Sequence, residues 1–451
     1  MKKKIIIVGG GITGLATAYI ASKSPDNEVT VLEGSPNLGG LLNTFPIGGT
    51  YLEHYYHHFF THDAEINWLI QDLGIADKLI FRKTSMGVFR NGKIFDFNSP
   101  LDLVKFSPIN LFGKAKFGLS SLFLGKVADW KKYESVSALE WFYKYAGKNV
   151  TDSLWKPLLN IKFGPYADRI PLAWMIGRLR QRMNSRKNGE EQLGYVEGSL
   201  RTLLLALIEK LKENGVRVHT NAKVEELILE DGKAIGAKTE NEIFLADQTV
   251  LTIPSNIIEK LVEPHNKKLA TDIGKVKYFG AVCTILELDR KLSDIYWLNI
   301  ADGGYPFGGV IEHTNFIPKE NYEGKHLVYL SRYFALEEDI AKMSSEEIKK
   351  VMIPPLKKIY PDFDEKWILD THIFKTNTAA TICDLGFSER IVNAKLPINQ
   401  LYLANMMHIY PDERSVNNSI RLGAETCRIM GIDSDFVPKG NSMSAQIGFN
   451  D

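Results

Sequence analysis

The first apolar block of the chain is short and unbroken. Ile5-Ile6-Ile7-Val8 has the pattern of a parallel strand buried on both faces. Beyond a run of glycines, Leu15-Ala16-Thr17-Ala18-Tyr19-Ile20-Ala21 reads as a helix whose small residues allow close packing on a sheet. Glu28-Val29-Thr30-Val31-Leu32-Glu33 then alternates into a second strand. Similar signals return much later. Leu203 to Leu211 carries apolar residues at helical spacing, and Val216 to His219 and Ala222 to Leu227 are strand-like. Asp231-Gly232 reads as a hairpin turn, and Val250 to Ile253 as a strand ending at Pro254. Near the C-terminus a strand, Leu401-Tyr402-Leu403, precedes a last helix opening at Ser415. Between these segments, residues 81–193 are helix-rich and residues 266–392 hold strand-like runs, Ala281 to Leu288 and Leu327 to Tyr333. The pattern predicts an α/β unit interrupted by two long insertions.

The glycines between the first strand and helix carry chemistry. Gly9-Gly10-Gly11-Ile12-Thr13-Gly14 satisfies GxGxxG through Gly9, Gly11 and Gly14. Gly9 permits the tight turn, Gly11 lets the backbone approach a pyrophosphate, and Gly14 lets helix and strand pack closely; the helix N-terminus then faces the diphosphate. Glu33 ends the second strand about 20 residues beyond the turn, where a carboxylate accepts both ribose hydroxyls. An acid at this place disfavours a 2′-phosphate. The dinucleotide is therefore FAD or NAD rather than NADP.

The segment after Glu33 selects FAD. Gly34-Ser35-Pro36-Asn37-Leu38-Gly39-Gly40-Leu41-Leu42 places paired glycines just beyond the acidic strand end. Here the chain resembles the flavoprotein superfamily of amine oxidases, protoporphyrinogen oxidases, phytoene desaturases and UDP-galactopyranose mutases, whose GG motif passes close to the FAD diphosphate. That motif commonly has flanking arginines; this chain has Asn37 and Leu41, which leaves only the backbone contact of Gly39 and Gly40. The resemblance implies a Rossmann-type α/β FAD-binding domain built from residues 1–80, 194–265 and 393–431. A mixed α+β substrate domain is inserted as residues 81–193 and 266–392, and residues 432–451 form a polar C-terminal tail. It further implies FAD contacts at Gly9, Gly11, Ile12, Thr13, Gly14, Glu33, Gly34, Gly39, Gly40 and Leu41. The backbone of Val224 would meet the adenine, and Asn405 stands where the family usually has an aspartate. Arg414, Ser415 and Val416 would lie at the last helix, whose dipole favours negative charge on the reduced flavin. Ser415 is also a plain capping serine, and the two roles coexist.

Composition narrows the partners. With 44% apolar and 24% charged residues and a formal net charge of +1, the chain is an ordinary globular protein without the basic surplus that nucleic acid requires. Cys283, Cys383 and Cys427 lie far apart with no CxxC pair, which predicts buried thiols in a reducing, cytoplasmic compartment. No stretch approaches the roughly 18 to 20 continuous apolar residues of a membrane span. The Leu101 to Val127 stretch mixes Phe and Leu with Lys105, Lys114, Lys116 and Lys126. A membrane-surface reading is open to it, but breaks in the amphipathic period at Pro108 and Gly113 favour a helical lid packed on the substrate domain.

Residues for the reaction itself are harder to find. Tyr51-Leu52-Glu53-His54-Tyr55-Tyr56-His57-His58-Phe59-Phe60-Thr61-His62-Asp63 holds four of the ten histidines. Without HExxH or a cysteine partner, the segment argues against a metal. It resembles the family stretch near the isoalloxazine ring, with Glu53 on the acidic position and His57 on the histidine position. His57, then His58, are the candidates for flavin or substrate contact; on a strand they would point to opposite faces. As structural imidazoles bonded to backbone carbonyls they would need no such role. Lys162 falls in a segment resembling the substrate domain of protoporphyrinogen-oxidase-like proteins, where some family members hold a water near flavin N5 with a lysine; a solvated lysine is the plainer reading. Arg178, Arg180, Arg182 and Arg186 crowd one helix; they could bind a phosphate or carboxylate on the substrate, but a solvated, salt-bridged face is the plainer reading. The expected activity is FAD-dependent oxidation of a small organic substrate by hydride transfer to flavin N5. The alternative is a UDP-galactopyranose mutase-like reaction on a sugar nucleotide without net redox change.

Overall fold

The computed structural model describes residues 1–187, 190–440, 443 and 448–449, with backbone only at 186, 187, 190 and 191. At its centre is a five-stranded parallel sheet. Lys3–Val8 lies between Asn27–Leu32 and Gln248–Leu251, flanked by Arg217–His219 and Leu401–Leu403. Ile5, Ile6, Ile7 and Val8 are all buried, because helices cover the sheet. Helix Ile12–Ser22 packs against the C-terminal helix Val416–Ile429. The contact depends on Gly423, where a Cβ would sit 2.9 Å from the Thr17 nitrogen. A three-stranded antiparallel sheet, Val224–Glu230, Lys233–Thr239 and Ile243–Leu245, follows, its first two strands joined by the hairpin turn at Asp231-Gly232.

The second large sheet has seven strands in the order Ile368–Thr381, Tyr278–Leu288, His326–Phe334, Gly309–Glu312, Trp297–Ile300, Met86–Arg90 and Lys93–Asp96. Every residue of Tyr278–Leu288 is buried, since this central strand carries neighbours on both edges and helices or loops over both faces. Helices Leu111–Leu122, Ala138–Tyr145, Lys156–Phe163 and Leu172–Asn184 complete this part. Strand Glu190–Val196 runs back toward the parallel sheet and pairs with Phe59–Phe60 and Leu79–Lys83. The architecture is α/β: a Rossmann-type parallel unit with a mixed α+β insertion.

Three local expectations are corrected. Gly113 does not interrupt a helix; it lies buried in the first turn of Leu111–Leu122, where a Cβ would meet Ile109 and Asn149. Pro108 alone separates that helix from Pro100–Lys105. Residues 54–58 form an irregular segment rather than a strand. The described part of the 432–451 tail is docked, with Val437 and Phe449 buried and the Gly440 amide bonded to Glu65 at 3.1 Å. Residues 441, 442, 444–447, 450 and 451 lie outside the described residues.

Candidate functional site

The glycine turn forms as its sequence requires. Gly9 has φ +114°, a conformation that L side chains avoid, and a Cβ on Gly14 would lie 2.0 Å from the Gly9 carbonyl oxygen. Gly11 caps helix Ile12–Ser22 with no side-chain hydrogen bond, so the first-turn amides, Ile12 and Thr13 among them, have no side-chain partner from the cap. A Cβ on Gly11 would meet nothing within 4 Å. The space beside this helix end is thus open, while every other side of the turn is filled. Gly39 follows in bridge contact with Gly11, its N–H donating to the Gly10 carbonyl at 2.8 Å. A Cβ on Gly40 would approach the Gly11 Cα to 3.3 Å. Leu41 continues the short turn Gly40–Leu42.

Glu33 stands at the strand end beside this turn. Its Oε2 accepts the Gly10 N–H at 2.6 Å and its Oε1 the Ser35 N–H at 2.8 Å, which leaves lone pairs on both oxygens for ribose hydroxyls. The Ala222 N–H donates to the Glu33 carbonyl and the Asn221 N–H to Ser35. Val224, buried at the start of its strand, and Gly34, against Lys223, are thereby drawn to the same corner. The uncapped helix end, the close backbone and the carboxylate fit the diphosphate and ribose of FAD.

Asn405 has a different occupation. Its Oδ1 accepts the Met407 N–H at 3.1 Å, and its Nδ2 donates to the Ile253 carbonyl at 3.0 Å and Ser255 Oγ at 3.2 Å. The side chain ties the loop after Leu401–Leu403 to the loop after Gln248–Leu251. Ser415 caps Val416–Ile429, accepting the Asn418 N–H at 3.1 Å, and Val416 is the first residue of that helix.

Immediately before Ser415, Glu413 and Arg414 face the insertion and meet the candidate reaction residues. Lys162, from Lys156–Phe163, pairs with the Glu413 carboxylate and lies 4.5 Å from the Trp174 ring centroid. Arg178 Nη1 comes within 4.0 Å of the same carboxylate. Arg414 bonds the Tyr333 hydroxyl and lies 5.3 Å from its ring. The Arg414 Nε is buried with no acceptor among the described residues. Lys162 is therefore not the solvated lysine that its polarity suggests. Burial lowers it to about 8, with Arg178 and Arg414 opposing the support of Glu413. Burial alone would raise Glu413, but Lys162, Arg178 and Arg414 hold it below its ordinary value.

Both histidine candidates lie within electrostatic reach of this cluster. His57 Nδ1 lies 2.5 Å from the Tyr55 carbonyl, and burial together with Arg414 lowers it to about 4. His58 Nδ1 lies 3.3 Å from the Tyr296 hydroxyl; burial, then Arg182 and Arg178, lowers it to about 3. Both imidazoles are neutral at physiological pH. The other two histidines turn elsewhere: His54 stacks on Phe374 at 3.9 Å and His62 on Phe60 at 5.6 Å. Tyr56, within electrostatic reach of Arg414 and Tyr333, meets Trp297 edge-on at 4.6 Å, so aromatic rings pack beside the charged cluster. Glu53 is buried, accepting from the Tyr195 hydroxyl and the Leu200 N–H, each at 2.7 Å, and burial raises its pKa.

The arginine helix is likewise no solvated face. Arg178, Arg180 and Arg182 are half-buried, reaching Glu413, the Ala128 carbonyl and the Met86 sulfur, because neighbouring segments cover that side of Leu172–Asn184. The side chain of Arg186 lies outside the described residues. Glu413 is not marked by any motif, although it sits in the charged run Asp412-Glu413-Arg414 directly before a capping serine, and Tyr333 is marked only as the end of a strand-like run.

The geometry has close counterparts. A family profile described as "Flavin containing amine oxidoreductase" matches residues 12–407. The coproporphyrinogen III oxidase of Bacillus subtilis (strain 168) is 23% identical over 79% of this chain and 83% of its own length. An oxidoreductase from Methanosarcina mazei superposes with TM-score 0.75 at 19% identity, over 95% of this chain and 100% of that one. Reduced UDP-galactopyranose mutase superposes with TM-score 0.73 at 14% identity, over 99% and 96%. At such identities the solved structures speak for the fold alone. The profile begins at Ile12, the first residue of the helix that follows the glycine turn, and runs through the insertion that carries Lys162; on that extent the chain belongs to the flavin containing amine oxidoreductase family and is an FAD-dependent oxidoreductase.

Proposed function

We propose that the chain oxidises an anionic, ring-bearing organic molecule, with a carboxylated porphyrinogen as the first candidate. The observation that carries this reading is the cluster's charge balance. Lys162, Arg178 and Arg414 converge on Glu413, the one carboxylate among the described residues in reach of Lys162 and Arg178, and the Arg414 Nε lacks an acceptor among the described residues. A carboxylate on the substrate would satisfy that donor. Bound FAD supplies the two-electron acceptor, and this chain's residues bind, orient and exclude water. Gly11, the Ile12 and Thr13 amides and Glu33 would hold the dinucleotide. His57 and His58, neutral and buried, would form hydrogen bonds rather than carry charge. Lys162, lowered to about 8, is suited to hold or release a proton near neutral pH. The likeness to the B. subtilis enzyme supports a porphyrinogen as substrate. The free, buried thiols of Cys283, Cys383 and Cys427 support a cytoplasmic setting.

The test is anaerobic titration of the FAD-loaded protein with coproporphyrinogen III and protoporphyrinogen, following bleaching of the flavin. Three flavins are expected to bleach for each porphyrin formed, because the six-electron oxidation of a porphyrinogen needs three two-electron flavin reductions when oxygen is absent. A flavin that stays oxidised with both would overturn the substrate class. The same cationic cluster would also favour a diphosphate, which keeps a second reading, a mutase acting on a sugar nucleotide. Turnover of UDP-galactopyranose only after dithionite reduction, with no net redox change, would select it.

A further inference from the structure

The helical arm from Pro100 to Val127 is apolar on two sides. In Leu111–Leu122, Gly113 and Ser120 are buried, and Phe117 stacks on Trp155 at 5.2 Å. A surface helix ordinarily turns a polar face to solvent opposite such a packed face. Here Leu111, Phe112, Leu119 and Leu122 point outward, from 53% exposed at Leu122 to 78% at Leu111, and Leu101 and Val127 extend the patch on either side. So many large apolar side chains along one arm exceed the scattered exposure of a soluble surface.

The charges around the patch have one sign. Lys105, Lys114, Lys116 and Lys126 are set against Asp102, the sole acid between 100 and 127, in a chain whose overall charge is +1. Asp102 is already engaged, accepting from the Asn98 and Ser99 amides at 2.9 Å each. Lys116 lies along the patch, its Nζ 4.8 Å from the Phe112 ring centroid, as long amines do when their stems cover apolar surface and their heads reach a polar boundary; Lys114 Nζ donates to the Val104 carbonyl. Among the described residues no helix is long and apolar enough to cross a membrane.

We infer that this arm docks the protein on an anionic lipid bilayer, lying in the interface with Leu111, Phe112 and Leu119 among the acyl chains and the lysines at the phosphate level. Charge complementarity decides for a phospholipid surface. The turn Phe123–Val127 that ends the arm packs on Leu172–Asn184: a Cβ on Gly125 would fall 2.1 Å from the Met183 sulfur, and Arg180 bonds the Ala128 carbonyl. That helix also carries Arg178 to the charged cluster, so docking brings the reaction site within one helix of the bilayer.

Flotation of the full-length, FAD-loaded protein with vesicles tests this. Binding to mixed phosphatidylcholine–phosphatidylglycerol vesicles is expected at least about tenfold tighter than to phosphatidylcholine alone, and weaker in high salt. The triple variant Leu111→Ser, Phe112→Ser, Leu119→Ser should keep its flavin and lose flotation, and Lys105→Gln with Lys126→Gln should erase the preference for the anionic vesicles. Three results would overturn the inference: a wild-type protein that does not float, a triple variant that floats equally well, or light scattering that shows a wild-type dimer reduced to monomer by the triple variant, which would make a second copy the occupant of this face.

Discussion

Gly11 separates cofactor binding from folding more cleanly than any other position in the turn. Its backbone, φ −73° and ψ 173°, is extended, and a Cβ there meets no protein atom within 4 Å. Gly11→Val should therefore change stability by less than about 1 kcal/mol: a side chain at the cap position costs a few tenths to about one, and the stiffer unfolded chain returns a similar amount. The effect on FAD should be large. A valine occupies the open space beside the uncapped helix end, and losing one or two charge-assisted hydrogen bonds to the diphosphate removes about 3 kcal/mol, a hundredfold in affinity. Gly14→Ala is the contrast. Its Cβ would sit 2.0 Å from the Gly9 carbonyl and 2.8 Å from Thr252 Oγ1, so it must lose folded protein as well as flavin. The assay is a fluorescence titration of apo-protein with FAD beside a denaturation midpoint for each variant. A Gly11→Val protein that binds FAD as the wild type does would refute the placement of the diphosphate.

Further predictions concern the buried groups. Lys162 is lowered from 10.5 to about 8 in the folded state, so between those values the unfolded chain binds more protons and stability rises with pH. Denaturation of wild type and Lys162→Met from pH 7 to 10.5 should show that rise, up to about 3 kcal/mol, in the wild type alone; parallel curves would sink it. Glu413→Gln leaves the ammonium unpaired and should cost about 3–5 kcal/mol, much of it recovered in the double variant with Lys162→Met. Equal stability of the single variant and wild type would mean the pair does not form. Glu53→Ala strands the Tyr195 hydroxyl and the Leu200 N–H at about 1–3 kcal/mol each, whereas Glu53→Gln keeps an acceptor and should be milder, as thermal melts would register. Once a substrate is found, Arg178→Gln should raise its KM more than it lowers kcat; the opposite split would remove Arg178 from ground-state binding.

The legible and hidden parts of the site differ in how their determinants are spaced. Strand Lys3–Val8, the turn and Glu33 could be read because each constraint lies in consecutive residues: four apolar residues for a strand covered on both faces, glycines where backbone must approach backbone, and a carboxylate at a strand end. The charged cluster is assembled otherwise. Lys162 and Glu413 are 251 positions apart, and no local pattern pairs them. Arg180 and Arg182 look solvated because their covers, Ala128 and Met86, lie 52 and 96 residues away. Gly113 looks like a helix breaker because its compensation, contact with Ile109 and Asn149, is partly tertiary. Yet Lys162 was not wholly silent. Trp155, Leu159 and Phe163 recur at helical spacing and are buried, and Lys162 follows Leu159 by three positions, on the same face. A lysine on an apolar stripe must either lift its amine past the stripe to water or find an anion inside. The fold takes the second route: the Lys162 side chain stays 24% exposed, but its amine meets an acid that precedes the last helix. Only the fold could say that it was Glu413.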